Sequence, residues 1–200
     1  MYSYIYLASK SPRRQQLLQQ IGIPFKLLEQ DVDEQPLTNE KAHELVSRLA
    51  KNKALSSYQI LNKKQLELAP VLGADTMVIV DDNGSEKILG KPVDKEHAVE
   101  ILSLLSGHTH NVLTAICLTD GKKTLSSISN STVSFKKLSS SEINNYWHTG
   151  EPVDKAGAYA IQGKAAAFIT NISGSYSGIM GLPLYETVTL LQQFNLTDSQ

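Results

Sequence analysis

Cysteine is nearly absent: Cys117 stands alone among 200 residues. No internal disulfide framework is available, and a reducing compartment fits. Within Val112-Leu113-Thr114-Ala115-Ile116-Cys117-Leu118 it reads as a small buried hydrophobe. An excess of one charge is missing too. The 19 basic and 20 acidic side chains leave a formal charge of −1, which gives no electrostatic footprint for nucleic acid or a membrane surface. No apolar run approaches the roughly 18 residues of a membrane span, and no basic segment leads into one at the start. A soluble, cytoplasmic protein is expected. Repeats, low-complexity tracts and flexible linkers are lacking, so residues 1–200 are expected to form a single domain. The histidines (His43, His97, His108, His110 and His148) fit no zinc pattern. No Walker loop, no Gly-x-Gly-x-x-Gly and no Gly-x-Ser-x-Gly occurs, which leaves the common NTPase, dinucleotide and hydrolase motifs without support.

What is present is strands interleaved with helices. Tyr4–Leu7 reads as a strand entering a turn; Ser11 suits an N-cap and Pro12 the first helical position, with Leu17, Leu18 and Ile21 on one face and Gly22 as the stop. A short strand is expected from Lys26 into an acidic loop ending near Gln35, then a helix from about Asn39 to Ser57 capped by Thr38. Val71–Val80 reads as a buried strand, joined by a hairpin at Asp82-Asn83-Gly84-Ser85 to Glu86–Leu89. Asp94 caps a further helix ending at Gly107, and strands follow at about 108–119 and 125–136. Ser139 and Glu142 have capping-box spacing. A strand is expected at 166–172, a Gly-Ser turn at 173–178 and a terminal helix after Pro183. The fold class expected is α/β, a mixed central sheet flanked by helices.

Three features break their local pattern. Arg13 and Arg14 fall in the first turn of a helix, where the dipole already presents about half a positive charge and a cation costs roughly 0.3–1 kcal/mol. An anion such as phosphate would compensate; two solvated arginines are the alternative. Asp75 interrupts the apolar strand at Gly73-Ala74-Asp75-Thr76, so it either faces a polar cleft, is held by a cation, or is paired to backbone amides. Lys53 falls on the stripe made by Ala42, Leu45, Val46, Leu49, Ala50 and Ala54. It either snorkels or reaches an anionic ligand over the helix edge. Glu34 in the acidic loop and Lys91 in Leu89-Gly90-Lys91-Pro92 would add, with Asp75, two carboxylates for a divalent cation and a further cation for phosphates.

Leu-Ala-Ser-x-Ser-Pro-Arg-Arg-x-x-Leu-Leu from Leu7, Gly-Ala-Asp-Thr from Gly73 and Gly90-Lys91-Pro92 together resemble the Maf family of nucleoside triphosphate pyrophosphatases. Leu104–His110, Asp154–Tyr159 and Gly181-Leu182-Pro183-Leu184 extend the match over almost the whole chain, in the family's order. The resemblance implies an elongated two-lobed domain with a cleft, often a homodimer. It also implies cleavage of a nucleotide between its α- and β-phosphates with a divalent metal, Mg or Mn. It places a catalytic base at Asp75, phosphate handling at Ser9, Arg13, Arg14, Lys53 and Lys91, and metal binding at Asp75 and Glu34. Arg13, Thr76 and Gln162 are the positions the family associates with substrate choice. Tyr159-Ala160-Ile161-Gln162-Gly163 resembles the branch acting on dTTP and UTP, whereas the 7-methyl-GTP branch usually carries Glu-Gly there. A neutral amide offers both a donor and an acceptor, which matches the mixed edge of uracil or thymine. Ala160 stands where relatives often have Gly, and Lys164-Ala165-Ala166-Ala167 is atypical. The rival readings are a nucleotide-binding regulatory protein linked to cell division and a pyrophosphatase for modified or methylated nucleotides such as 7-methyl-GTP.

Overall fold

The computed structural model describes residues 2–28, 31–82, 84–194 and 196. The elements in chain order are β1 (Ile5–Ala8), α1 (Pro12–Gln20), β2 (Phe25–Leu27), α2 (Ala42–Lys63), β3 (Val71–Asp82), β4 (Ser85–Leu89), α3 (Lys95–Leu105), β5 (Thr109–Thr119), β6 (Thr124–Phe135), α4 (Ser140–Trp147), β7 (Ile169–Ser173), α5 (Tyr176–Met180) and α6 (Leu184–Gln192). The strands form a mixed sheet in the order β2-β1-β3-β5-β6-β7, with β4 paired to β3. β1 runs parallel to both β2 and β3, while β3/β4 and β6/β7 are antiparallel. The expected mixed α/β class is therefore what the chain adopts. Among the described residues no helix is long and apolar enough to cross a membrane.

The chain divides into two compact units, one of 1–75, 114–129 and 181–200, the other of 76–113 and 130–180. In the first unit Tyr6, Ala8, Leu28, Leu61, Ala69 and Val71 form a core cluster. α1 ends as its sequence suggested: Gly22 takes φ 67°, and Gly22 N–H and Ile23 N–H donate to Gln19 O and Leu18 O. That is a Schellman stop.

In the second unit α3 and α4 start at the expected caps. The Asp94 carboxylate accepts His97 N–H at 2.8 Å, and Ser139 and Glu142 exchange a capping box. The unit's core joins Ile101, Leu102 and Leu105 of α3 to an aromatic group of Phe135, Tyr146, Tyr159 and Phe168. His110 is buried among these rings, its Nε2 2.9 Å from the Tyr159 hydroxyl. Burial lowers its pKa to about 4. The unfolded chain, with an ordinary histidine pKa, therefore binds a proton more readily than the fold below about pH 6.5. Stability is expected to fall by roughly 3 kcal/mol between pH 6.5 and pH 4, then to level off. Melting curves of the parent and His110→Gln across that range check this; an undiminished slope in the variant would assign the effect elsewhere.

Several local expectations need correction. α2 starts at Ala42, not near Asn39, and Thr38 is not its cap. Asn39 is left-handed at φ 61°, which blocks an earlier start, and Glu44 returns to accept Lys41 N–H at 3.0 Å. The helix then runs six residues past Ser57, because Leu61 continues its buried face. The short strand expected from Lys26 is β2, which begins one residue earlier, at Phe25, and pairs Phe25–Leu27 with Ile5–Leu7 of β1. Lys164–Phe168 is a 3₁₀ turn, so the strand begins at Ile169. Residues Tyr176–Met180 are helical where a turn was expected, started by Gly178 N–H donating to Ser175 Oγ. Asp82 pairs with Ser85 across the expected hairpin, but Asn83 itself lies outside the described residues.

Candidate active site

Strand geometry explains why Asp75 and Lys53 meet. Gly73 and Asp75 lie two residues apart in β3 and so share a face. That face is covered by α2, which approaches so closely that a Cβ at Gly73 would overlap Ala50 O and sit 2.6 Å from Ala54 N. Lys53 precedes Ala54 by one position, and its Nζ stands 2.6 Å from Asp75 Oδ1. The two side chains are only 15% and 13% exposed, so removing either partner would leave a largely dehydrated charge behind. The Lys53 ammonium is thus held by a carboxylate of the chain itself.

The acidic loop supplies a second carboxylate. Glu34 Oε1 is also 2.6 Å from Lys53 Nζ. That loop is tied to α2 by Arg48, whose guanidinium donates to both Glu40 carboxylate oxygens at 2.6 and 2.8 Å and to Gln35 O at 2.9 Å. The Arg48 hydrogen bonds, with a further one from Leu37 N–H, lower the Glu40 pKa to about 2. Asp33 Oδ1 accepts Gln35 N–H and tightens the same turn.

The first turn of α1 completes the cluster. Pro12 opens the helix, so Arg13 and Arg14 are its second and third residues. Ser11 occupies the N-cap position but makes no side-chain capping bond. The hydroxyl that works here is that of Ser9, which accepts from Ser11 N–H at 3.2 Å and from Arg14 at 3.0 Å. Arg14 Nε donates to Gly181 O at 2.7 Å. Desolvation lowers the Arg14 pKa from the usual arginine range; Asp75 and Glu34 oppose that shift, and Arg13 reinforces it. Both arginines are half-buried, and it is Arg14 that feels the charges of Asp75, Arg13 and Glu34. Because β1 and β3 are parallel and Ala8 pairs with Gly73, Ser9 follows directly on the carboxyl end of β1, while Asp75 lies two residues past Gly73 within β3.

Thr76 follows Asp75 directly and opens the second unit, which also carries Lys91 and Gln162. Lys91 is exposed, as is Gln162, whereas Tyr159, Ala160 and Ile161 before it are buried.

A family model described as Maf-like protein matches residues 4–194. The chain belongs to the Maf family. Among its relatives is a dTTP/UTP pyrophosphatase of Aromatoleum aromaticum, 51% identical over 95% of both chains. Another of that name, from Salmonella typhimurium, is 46% identical over 96% of this chain and 93% of its own. A nucleoside triphosphate pyrophosphatase of Haemophilus ducreyi is 44% identical over 98% of both. The solved Ham1 protein of Staphylococcus aureus shares the fold, with a TM-score of 0.50, 14% identity and 96% and 97% coverage.

Sequence reasoning about this Maf protein missed Arg48 and Glu40, which fix the acidic loop on α2. A charged pair eight residues apart across a helix start leaves no periodic signal. It also missed the task of Arg14 in binding Gly181 O, a contact between residues 167 positions apart. The described residues hold no group of three His, Cys, Asp or Glu side chains suited to a metal. Two hard carboxylates do converge, however, on the single cationic point that Lys53 occupies. That donor set fits Mg²⁺ or Mn²⁺ bound with the help of substrate phosphates rather than in an all-protein cage.

Proposed function

We propose that this chain is a nucleoside triphosphate pyrophosphatase that hydrolyses dTTP and UTP to the monophosphate and pyrophosphate. The observation that carries the reading is the Asp75–Lys53–Glu34 bridge beside Arg14. Pure nucleotide binding would gain little from two carboxylates held against a phosphate site. The close relatives named as dTTP/UTP pyrophosphatases support the substrate class.

In this reading Lys53 fixes Asp75 through Oδ1, and Oδ2 accepts the proton of the water that attacks the α-phosphorus. Arg13, Arg14, the Ser9 hydroxyl and the α1 N-terminus take the charge that moves onto departing pyrophosphate, with Lys53 and Lys91 as further cations. A divalent cation at Asp75 and Glu34 would neutralise phosphate charge and make a bound water more acidic. The Ser9–Arg14 and Arg14–Gly181 bonds hold the guanidinium in place before substrate arrives. Arg13, Thr76 and Gln162 are assigned to substrate choice, Gln162 offering an amide to the uracil or thymine edge.

A pyrophosphate-release assay over a nucleotide panel, with Mg²⁺ or Mn²⁺ and with chelator, tests the reading. Release from dTTP and UTP well above CTP and the purine triphosphates, abolished by chelator and restored by metal, is expected. Binding without release would favour a regulatory protein, and preference for 7-methyl-GTP would move the chain to the other branch.

A further inference from the structure

Gln162 is exposed, as is Lys164, in a short segment bounded by the buried Ile161 and Ala165. One carboxylate holds that stretch from both sides. Glu151 accepts Lys164 N–H on Oε2 at 2.9 Å and Ala165 N–H on Oε1 at 3.3 Å. Its Oε1 also accepts the Tyr146 hydroxyl at 2.6 Å, and that hydroxyl accepts Ala160 N–H at 3.1 Å. The anchors therefore begin two residues before Gln162 and two after it. Between them, a Cβ at Gly163 would fall on the Glu151 carboxylate, so the glycine is what lets the acid reach in. Desolvation pushes the Glu151 carboxyl up, but the bonds from Tyr146, Lys164 and Ala165 together hold it below the usual range. Hydrogen bonds to an ionised acceptor are the stronger kind. Neither Glu151 nor Tyr146 is among the residues given a part in the reaction.

We propose that Glu151, through Tyr146 and the backbone of residues 160–165, is a positioning residue for base discrimination, fixing where Gln162 presents its amide. The proposal rests on Gln162 reading the base. A loop freed from Glu151 would lose the fixed distance to a pyrimidine edge and admit larger bases. Binding of UTP would then weaken, while a purine triphosphate that Gln162 does not read would be spared. In Glu151→Gln the side chain keeps one acceptor oxygen and turns an amide NH₂ toward groups that donate. Tyr146→Phe removes only the hydroxyl that joins Glu151 to Ala160, and carries the test alone if the first variant fails to fold.

The experiment measures kcat/KM for UTP and GTP in the parent, in both variants, in Gln162→Ala and in Gln162→Ala combined with each. The UTP-to-GTP ratio is expected to fall about tenfold in each brace variant, through KM rather than kcat, and no further when combined with Gln162→Ala. A loss equal for both nucleotides overturns the proposal. So does an unchanged ratio in folded brace variants while Gln162→Ala lowers it; either result leaves the role of Gln162 standing. If Gln162→Ala itself leaves the ratio unchanged, the role of Gln162 falls and the proposal with it.

Discussion

Asp75→Asn is expected to lower pyrophosphate release from UTP by about 10²- to 10⁴-fold, the usual contribution of a positioned general base. The amide keeps an oxygen that Lys53 can donate to, and Lys53 keeps Glu34 at 2.6 Å. The variant should therefore fold and still bind nucleotide. The loss should appear in kcat, because what disappears is an acceptor for a proton that moves only in the transition state. Steady-state kinetics with a melting curve on the same preparation separate the cases. Near-parental kcat would remove Asp75 from the chemistry, and a collapsed melting transition would make it a structural residue.

Gly73→Ala should produce the largest loss of stability among single-methyl changes at the site. Its Cβ would meet backbone atoms, Ala50 O and Ala54 N, which cannot rotate aside as a side chain would. α2 must then back away from β3. Overpacking of this kind costs about 1–3 kcal/mol, which for a chain of this size lowers Tm by roughly 2–12 °C. The same shift pulls Lys53 away from Asp75, so turnover should fall with stability. Gly90→Ala is the control for the stability measurement, since nothing lies within 4 Å of a Cβ built there. An unchanged Tm for Gly73→Ala would mean that α2 does not pack as tightly as described.

How far the sequence could be read depended on the range of the forces involved. The start of α1, its Schellman stop and the caps of α3 and α4 follow from neighbours within a turn, and they were legible. So were Asp75 and Lys53, each the wrong polarity for its own periodic pattern, although the pattern could not say that they pair with each other. The true start of α2 was hidden because it depends on the left-handed Asn39 and on Glu40 being drawn to Arg48. The last three residues of the 3₁₀ turn at Lys164–Phe168 carry strand signals in the sequence for a similar reason. Its first amides are claimed by Glu151, thirteen and fourteen residues earlier, and a lone glutamate beside a proline announces nothing. The short helix α5 depends on one serine hydroxyl, at Ser175, within a run of glycines and serines that reads equally well as a turn.

The most direct measurement is product analysis of UTP hydrolysis in ¹⁸O-labelled water. The expected products are UMP carrying the label and unlabelled pyrophosphate, because Asp75 is assigned to the water that attacks the α-phosphorus. Labelled inorganic phosphate with UDP, or binding without turnover, would contradict the account.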